Sequence, residues 1–421
     1  MLKSIVLQQK EERNMLLKHD YQNRVSMQEN EDFLASGLIK LITGPRRAGK
    51  SVFALQMLQD QNFAYLNFDD DFLLKNFDES LLWQHLLEVY PNFQYLLLDE
   101  IQNLSNWDIW VGKLYRRGVN LVITGSNANL LSNEMASVLT GRYLQINILP
   151  FGLREFIDYK KTKITVATPT EKAALLQQTD EFLLYGGFPE IILSKNIARN
   201  YLSSLFDSVL LKDITKRYKV RNTNELYNLA NYLLANFCNP FSINDLVTEL
   251  DLGSVHTAKK FCKYLEEPYL FFYLSRYNSK LKLMQNALKK AYVVDNGFIT
   301  ARAFELSKNL GRLLENLVFV ELIRRGFSTQ NTLFYYRTRN DKEIDFVCRQ
   351  AHQVTALIQV SYEVFNPKTL KREISALTEA AGELRCNHLL LLTWDEENTI
   401  TENNLKITIM PVWKWLLKLK E

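Results

Sequence analysis

The chain has 421 residues, with 51 Lys and Arg against 47 Asp and Glu and a hydrophobic content of 47%. That length exceeds one simple core and fits about two to four domains. A formal charge of +4 permits a nucleic-acid partner without demanding one, and no apolar run approaches the roughly 18 residues of a membrane span.

The chain opens on a helical segment, residues 1–30, which turns polar too early (MLKSIVLQQKEERN) for a secretory signal; a cytoplasmic location is expected. A strand-like run, LIKLIT, leads at once into Gly44, Pro45, Arg46, Arg47, Ala48, Gly49, Lys50 and Ser51, and Val52 begins a helix-forming stretch. This is the G-x-x-x-x-G-K-S pattern in its strand–loop–helix context. Backbone N–H groups of such a loop curl around phosphate oxygens, and the helix N-terminus adds positive partial charge. Lys50 is expected to reach the β- and γ-phosphates and Ser51 to ligate Mg²⁺, so ATP or another purine triphosphate with Mg²⁺ is the expected ligand.

About 50 residues downstream, YLLLDE is an apolar strand ending in acids. There Asp99 is expected to hold Mg²⁺ and Glu100 to polarise the attacking water. Runs at 63–68, 120–124 and 143–148 complete a parallel three-layer α/β domain over residues 31–160. The run at 120–124 ends in TGSN, where Ser126 and Asn127 are candidates for sensing a γ-phosphate, with a plain strand-ending turn as the alternative.

Residues 161–235 read as helical, with Lys212, Asp213 and Arg217 on a polar face and a break at Gly-Gly-Phe-Pro. Residues 236–290 read as a winged helix-turn-helix. Ser242 caps a first helix of about ten residues, and Gly253-Ser254 makes the turn. A second helix presents His256, Thr257, Lys259 and Lys260, and YLFFYLSRY supplies a wing strand. That arrangement is compatible with DNA contact and equally with packing between domains.

From residue 291 onward a helix over 310–326 carries Glu315 and Glu321. Strand-like runs follow at 333–339, 343–349 and 356–363. Helix then strands, with Asp345 on the central strand, resembles the PD-(D/E)XK nuclease fold. The resemblance implies a second acid followed two residues later by a lysine that polarises water on the same strand face. Gln359 and Ser361 stand there instead, with Glu343 nearby and Glu363 further along the same face. The chemistry is therefore expected to be degenerate and the role of the domain to be binding or assembly. The closing VWKWLLKLKE is a basic amphipathic tail, expected to dock on its own domain rather than on a membrane. The cysteines (238, 262, 348, 386) are scattered and expected to be free and buried.

Taken together, GPRRAGKS, YLLLDEIQN, TGSN, LTGRYLQINILPFGLREF and YGGFPE resemble bacterial and archaeal AAA+-type ATPases known only as ATP-binding proteins. The likeness runs from about residue 20 to the C-terminus. It implies a phosphate-loop ATPase core with a helical lid, a winged helix and a C-terminal α/β nuclease-like domain. It also implies that Gly187 and Pro189 touch the adenine from the lid. Arg142 in TGRY is then the arginine-finger candidate, acting across the interface of a homo-oligomer, with Arg116, Arg117 and Arg154 as alternatives. The expected activity is an ATP-driven switch acting on an unidentified protein or DNA partner, with an ATP-licensed nuclease as the alternative.

Overall fold

The computed structural model describes residues 2–29, 31–127, 139–164, 166, 168–285, 287–302 and 310–418. Two compact units divide the chain. The first holds residues 1–150 with 267–269, and the second holds 151–266 with 270–421. The helical, middle and C-terminal segments expected at 161–235, 236–290 and 291–421 thus share one unit, apart from residues 267–269.

The first unit is built on five parallel strands: β1 (Ile39–Thr43), β2 (Phe63–Asn67), β3 (Tyr95–Asp99), β4 (Asn120–Gly125) and β5 (Tyr143–Asn147). They lie in the order β2-β3-β4-β1-β5. The inner strands are predominantly apolar because both faces are covered, with Lys40 in β1 a buried exception. Leu41, Leu66, Leu98 and Ile123 point into one apolar cluster, while Ile42, Tyr65, Leu97 and Val122 point into another. The N-terminal helix Leu2–Leu16 guards the β2 edge. The Gln9 side chain donates to the Asn67 carbonyl at 3.1 Å and accepts the Asn67 N–H at 3.0 Å, as a neighbouring strand would.

The second unit begins with helices. Pro189–Leu193, Ala198–Ser208 and Thr223–Ala235 follow Pro169–Tyr185, which is closed at its start by a Thr168–Glu171 capping box. Residues Val209–Lys216 form a π-helical stretch. A three-stranded antiparallel sheet follows, in the order β6 (Pro240–Phe241), β8 (Lys289–Val293), β7 (Phe271–Ser275). Its helices are Ile243–Glu249, capped by Ser242 as expected but only seven residues long, and Val255–Glu266.

The C-terminal sheet has six strands: β9 (Leu333–Arg337), β10 (Glu343–Gln350), β11 (Gln353–Val360), β12 (Leu389–Thr393), β13 (Asn398–Glu402) and β14 (Leu405–Pro411). Their order is β13-β14-β12-β11-β10-β9. Three of these strands were not foreseen. One foreseen boundary is also corrected: β11 ends at Val360, so Ser361 and the exposed Glu363 lie in the loop beyond it, not on the strand face. The tail docks through the helix Val412–Leu416, where Val412, Trp413 and Leu416 are buried and Trp413 Nε1 donates to Asp395 at 3.1 Å. Residues 419–421 of that tail lie outside the described residues. All four cysteines are free and buried. Among the described residues, no helix is long and apolar enough to cross a membrane.

Candidate nucleotide-binding site

The loop from Gly44 to Gly49 joins the C-terminal end of β1 to the helix Lys50–Leu58. Gly44 is required there. A Cβ would stand 2.0 Å from the Ile148 carbonyl oxygen, and its φ of +147° is one that L side chains rarely adopt. Arg47 (φ 65°) and Gly49 (φ 92°) are left-handed; such residues make successive N–H groups converge into an anion-binding concavity. Pro45 and Ala48 are buried, Arg46 and Val52 half-buried and Arg47 exposed. The Lys50 ammonium, almost wholly buried, donates to the Pro45 carbonyl at 3.0 Å and lies 3.5 Å from Glu100.

Parallel strand order brings the remaining candidates to the same sheet end. β4 lies between β3 and β1, so Asp99 and Glu100 at the end of β3 flank Ser126 and Asn127 just past β4. The Ser51 hydroxyl donates to Asp99 at 2.8 Å, the Thr124 hydroxyl at 2.5 Å and the Tyr65 hydroxyl at 3.4 Å. Burial, with Glu100 alongside, pushes the Asp99 carboxyl up to about 6 in spite of the Thr124 and Ser51 bonds. Glu100 adopts a left-handed backbone, φ 51°, its N–H donating to the Thr124 hydroxyl at 2.9 Å. Burial alone would raise the Glu100 carboxyl, yet Lys50, the Gln102 bond and Arg46 together hold it below its ordinary value. A left-handed backbone at a non-glycine residue is the kind of strain that clusters at functional sites.

Two participants had no clear signal in the sequence. Gln102 donates to Glu100 and, at 3.2 Å, to Ser126, tying the acid to the end of β4. Its only cue was a polar residue in the turn after the acids. Arg24, buried beneath the loop, donates to the carbonyls of Ala48 and, at 3.0 Å, Leu149. No local pattern marks a single arginine for such burial. Between the segment that precedes Arg24 and the helix Lys50–Leu58 is a polar cavity of about 240 Å³ lined by His19, Asp20, Tyr21, Asn23, Gln56 and Gln59.

The site fits Mg²⁺. One carboxylate and one hydroxyl next to a phosphate loop are the kind of donors Mg²⁺ uses, the rest coming from phosphate and water. Among the described residues, no three His, Cys, Asp or Glu side chains are grouped to hold a metal ion by themselves.

The arginine candidates of the first unit lie apart from this group. Arg142 precedes β5 beside Ile39, at the opposite end of β1 from the loop, with its guanidinium over the Tyr115 ring. Arg116 and Arg117 close the helix before β4, again at the far sheet end. In the second unit, Arg154 pairs with Asp158 at 3.3 Å. There too, the Gly187 N–H donates to Asp295 at 2.8 Å and its carbonyl accepts from Phe151 at 2.8 Å. A Cβ on Gly187 would stand 2.0 Å from the Phe151 carbonyl oxygen. This close approach accounts for the glycine, and Pro189 simply begins the next helix. Both backbone groups of Gly187 are thus bonded within the second unit.

The nuclease-like residues do gather, without an acid-x-Lys strand. Gln359 Nε2 donates to the buried Glu373 at 2.9 Å, and its Oε1 accepts the Asp345 N–H at 3.2 Å. The Ser361 hydroxyl turns back to the Glu363 carbonyl. Glu315 and Asp345 meet through a residue that sequence reading passed over, Lys290 on β8.

Known proteins match in the same order. The family described as an AAA domain matches residues 36–157. Two domains of unknown function follow, DUF8612 over residues 176–309 and DUF4143 over 310–415. The uncharacterized protein MJ1544 of Methanocaldococcus jannaschii is 36% identical over 398 residues, covering 90% of this chain and 88% of its own length. An uncharacterized Haemophilus influenzae protein is 34% identical over 367 residues, covering 83% and 88%. Among solved structures, the Walker-type ATPase PABY2304 of Pyrococcus abyssi covers 68% of this chain and 96% of its own at 13% identity. Its TM-score of 0.45 is too loose a likeness to argue from.

Proposed function

The chain belongs to the family of AAA-domain proteins that includes MJ1544 of Methanocaldococcus jannaschii, and from that premise we propose that it is an Mg²⁺-dependent ATPase whose nucleotide state regulates assembly or partner contact. One observation carries the reading: Lys50, Ser51, Asp99, Glu100 and Ser126 gather at one end of three adjacent parallel strands.

In this reading Lys50 exchanges the Pro45 carbonyl and Glu100 for the β- and γ-phosphate oxygens. Mg²⁺, when bound, neutralises phosphate charge, and Ser51 with Asp99 would hold it. Glu100, released by Lys50, orients the attacking water and accepts its proton. Gln102 reports the position of Glu100 to Ser126. The polar cavity beside the phosphate-loop helix takes the base, with Tyr21, Asn23 and Gln56 as its hydrogen-bonding groups. Arg142, remote from its own loop, acts as an arginine finger only if a second copy presents it. Lys50→Ala should weaken Mg-ATP binding by about 100-fold, or about 3 kcal/mol, as read by calorimetry. Equal affinity in the variant would refute the assignment.

A nucleic-acid partner is the second reading, favoured by the exposed side chains of His256, Lys259, Lys260 and Lys263 at helical spacing on one face of Val255–Glu266. Labelled duplex should then shift with affinity that falls steeply as salt rises. No shift at about 50 mM salt would leave a protein partner. The nuclease alternative is disfavoured, because Gln359 is neutral and bonded to Glu373, and Ser361 brings no charge.

A further inference from the structure

Lys290 sits in the middle strand of the three-stranded sheet, its side chain 2% exposed. Lysine is almost never buried to that degree unless it is paired, and here the pairing is threefold. Its Nζ lies 2.9 Å from Glu315 Oε1, 2.7 Å from Glu343 Oε1 and 3.6 Å from Asp345 Oδ1. An ammonium has three protons to donate; Glu315 and Glu343 lie within hydrogen-bond distance and Asp345 within ion-pair distance, and they come from the helix Leu310–Arg324 and two positions on β10.

Several of the surrounding oxygens have further partners. Tyr292 donates its hydroxyl to Glu315 at 2.6 Å, and Asp345 Oδ2 accepts the Val360 N–H at 2.9 Å. Arg337 lies 3.2 Å from the second oxygen of Glu343. Glu315 and Asp345 are buried and Glu343 is half-buried, and burying carboxylates is costly unless positive charge accompanies them. In an oxygen cage of this sort that charge is ordinarily a divalent ion, and here it is a side chain. Burial alone would lower the Lys290 ammonium, yet Glu315, Asp345 and Glu343 hold it well above its usual value, so it stays charged.

We propose that Lys290 is the resident cation of this cluster: its ammonium stands between Glu315, Glu343 and Asp345 in place of a divalent ion, for which these acids are not grouped as they stand, and the cluster takes such an ion only when Lys290 is removed. The inference rests on the reading of the C-terminal domain as non-hydrolytic, and it supplies a cause for that state beyond the loss of an acid and a lysine at 359 and 361.

The test uses the full chain, stripped of nucleotide and metal, with Mn²⁺ followed by electron paramagnetic resonance. Wild type should show no Mn²⁺ binding that Asp345→Asn removes. Lys290→Met should gain about one Mn²⁺ per chain, at least tenfold tighter than any wild-type binding in that range, and the gain should vanish in Lys290→Met/Asp345→Asn. If Lys290→Met is destabilised, Mn²⁺ should raise its melting temperature while KCl of equal ionic strength should not. The proposal is overturned if folded Lys290→Met binds no more Mn²⁺ than wild type. It is equally overturned if the variant stays unfolded with Mn²⁺ supplied throughout refolding, or if wild type binds Mn²⁺ in an Asp345-dependent way. A separate arm, Mg²⁺-dependent nicking of plasmid by wild type, would instead sink the non-hydrolytic reading on which the proposal rests.

Discussion

Asp295 shows how one buried carboxylate can organise a turn. It accepts the N–H groups of Gly187 and Gly297 at 2.8 Å each, and Cβ atoms at either glycine would collide with their surroundings. Burial pushes its carboxyl up to about 7, against those two bonds and the charge of Arg324. An acid with a raised folded-state value holds a proton that the unfolded chain releases. Stability from this group is therefore present below about pH 4 and lost as pH rises to about 7. Wild type should lose stability between pH 5 and pH 8 relative to Asp295→Asn, by an amount on the order of a few kcal/mol. Parallel stability–pH curves from chemical denaturation would contradict this. At the same scale, Gly187→Ala should cost about 2 kcal/mol or more, since the Phe151 carbonyl must move. An unchanged melting temperature would show that the turn has room to spare.

At the level of elements, the N-terminal helix acts as an edge guard. Gln9 pairs with both backbone groups of Asn67, while Lys10 and Arg13 reach the carbonyls of Val89 and Phe63. Removing residues 1–18 should expose the β2 edge and drive association, visible as oligomers by light scattering; a monodisperse product would show that the helix is dispensable. The parallel strands were legible because buried β-strands read as unbroken apolar runs, as LIKLIT, FAYLNF and YLLLDE do. The guarding helix was legible only as a helix, since its partners lie some 50 to 80 residues away. Strands β12 to β14 were missed for different reasons. LLLLT is too short and uniform to separate from a helix, and β13 is exposed at nearly every position. The boundary at Val360 leaves the Ser361 N–H still bonded to Leu392 on the next strand, and no local pattern encodes it.

For the whole molecule, spacing revealed the loop and the acids because a phosphate site is assembled at the ends of adjacent strands, and strand ends are marked by local composition. Lys290 stayed hidden because its meaning comes from Glu315, Glu343 and Asp345, more than 20 residues further on. Gln102 and Arg24 stayed hidden for the same reason. If Arg142 completes the site from a second copy, turnover per chain should rise with protein concentration until assembly is complete, and Arg142→Ala should flatten that rise. Turnover independent of concentration would remove Arg142 from the mechanism.

The most direct test of the account is steady-state Mg-ATP turnover of wild type, Lys50→Ala and Glu100→Gln at matched concentration, with bound nucleotide measured in parallel. Wild type should turn over, Lys50→Ala should bind about 100-fold more weakly and lose turnover, and Glu100→Gln should bind ATP but lose turnover by about 100-fold or more. Glu100→Gln hydrolysing at the wild-type rate would contradict the assignment of the catalytic site at the end of β3.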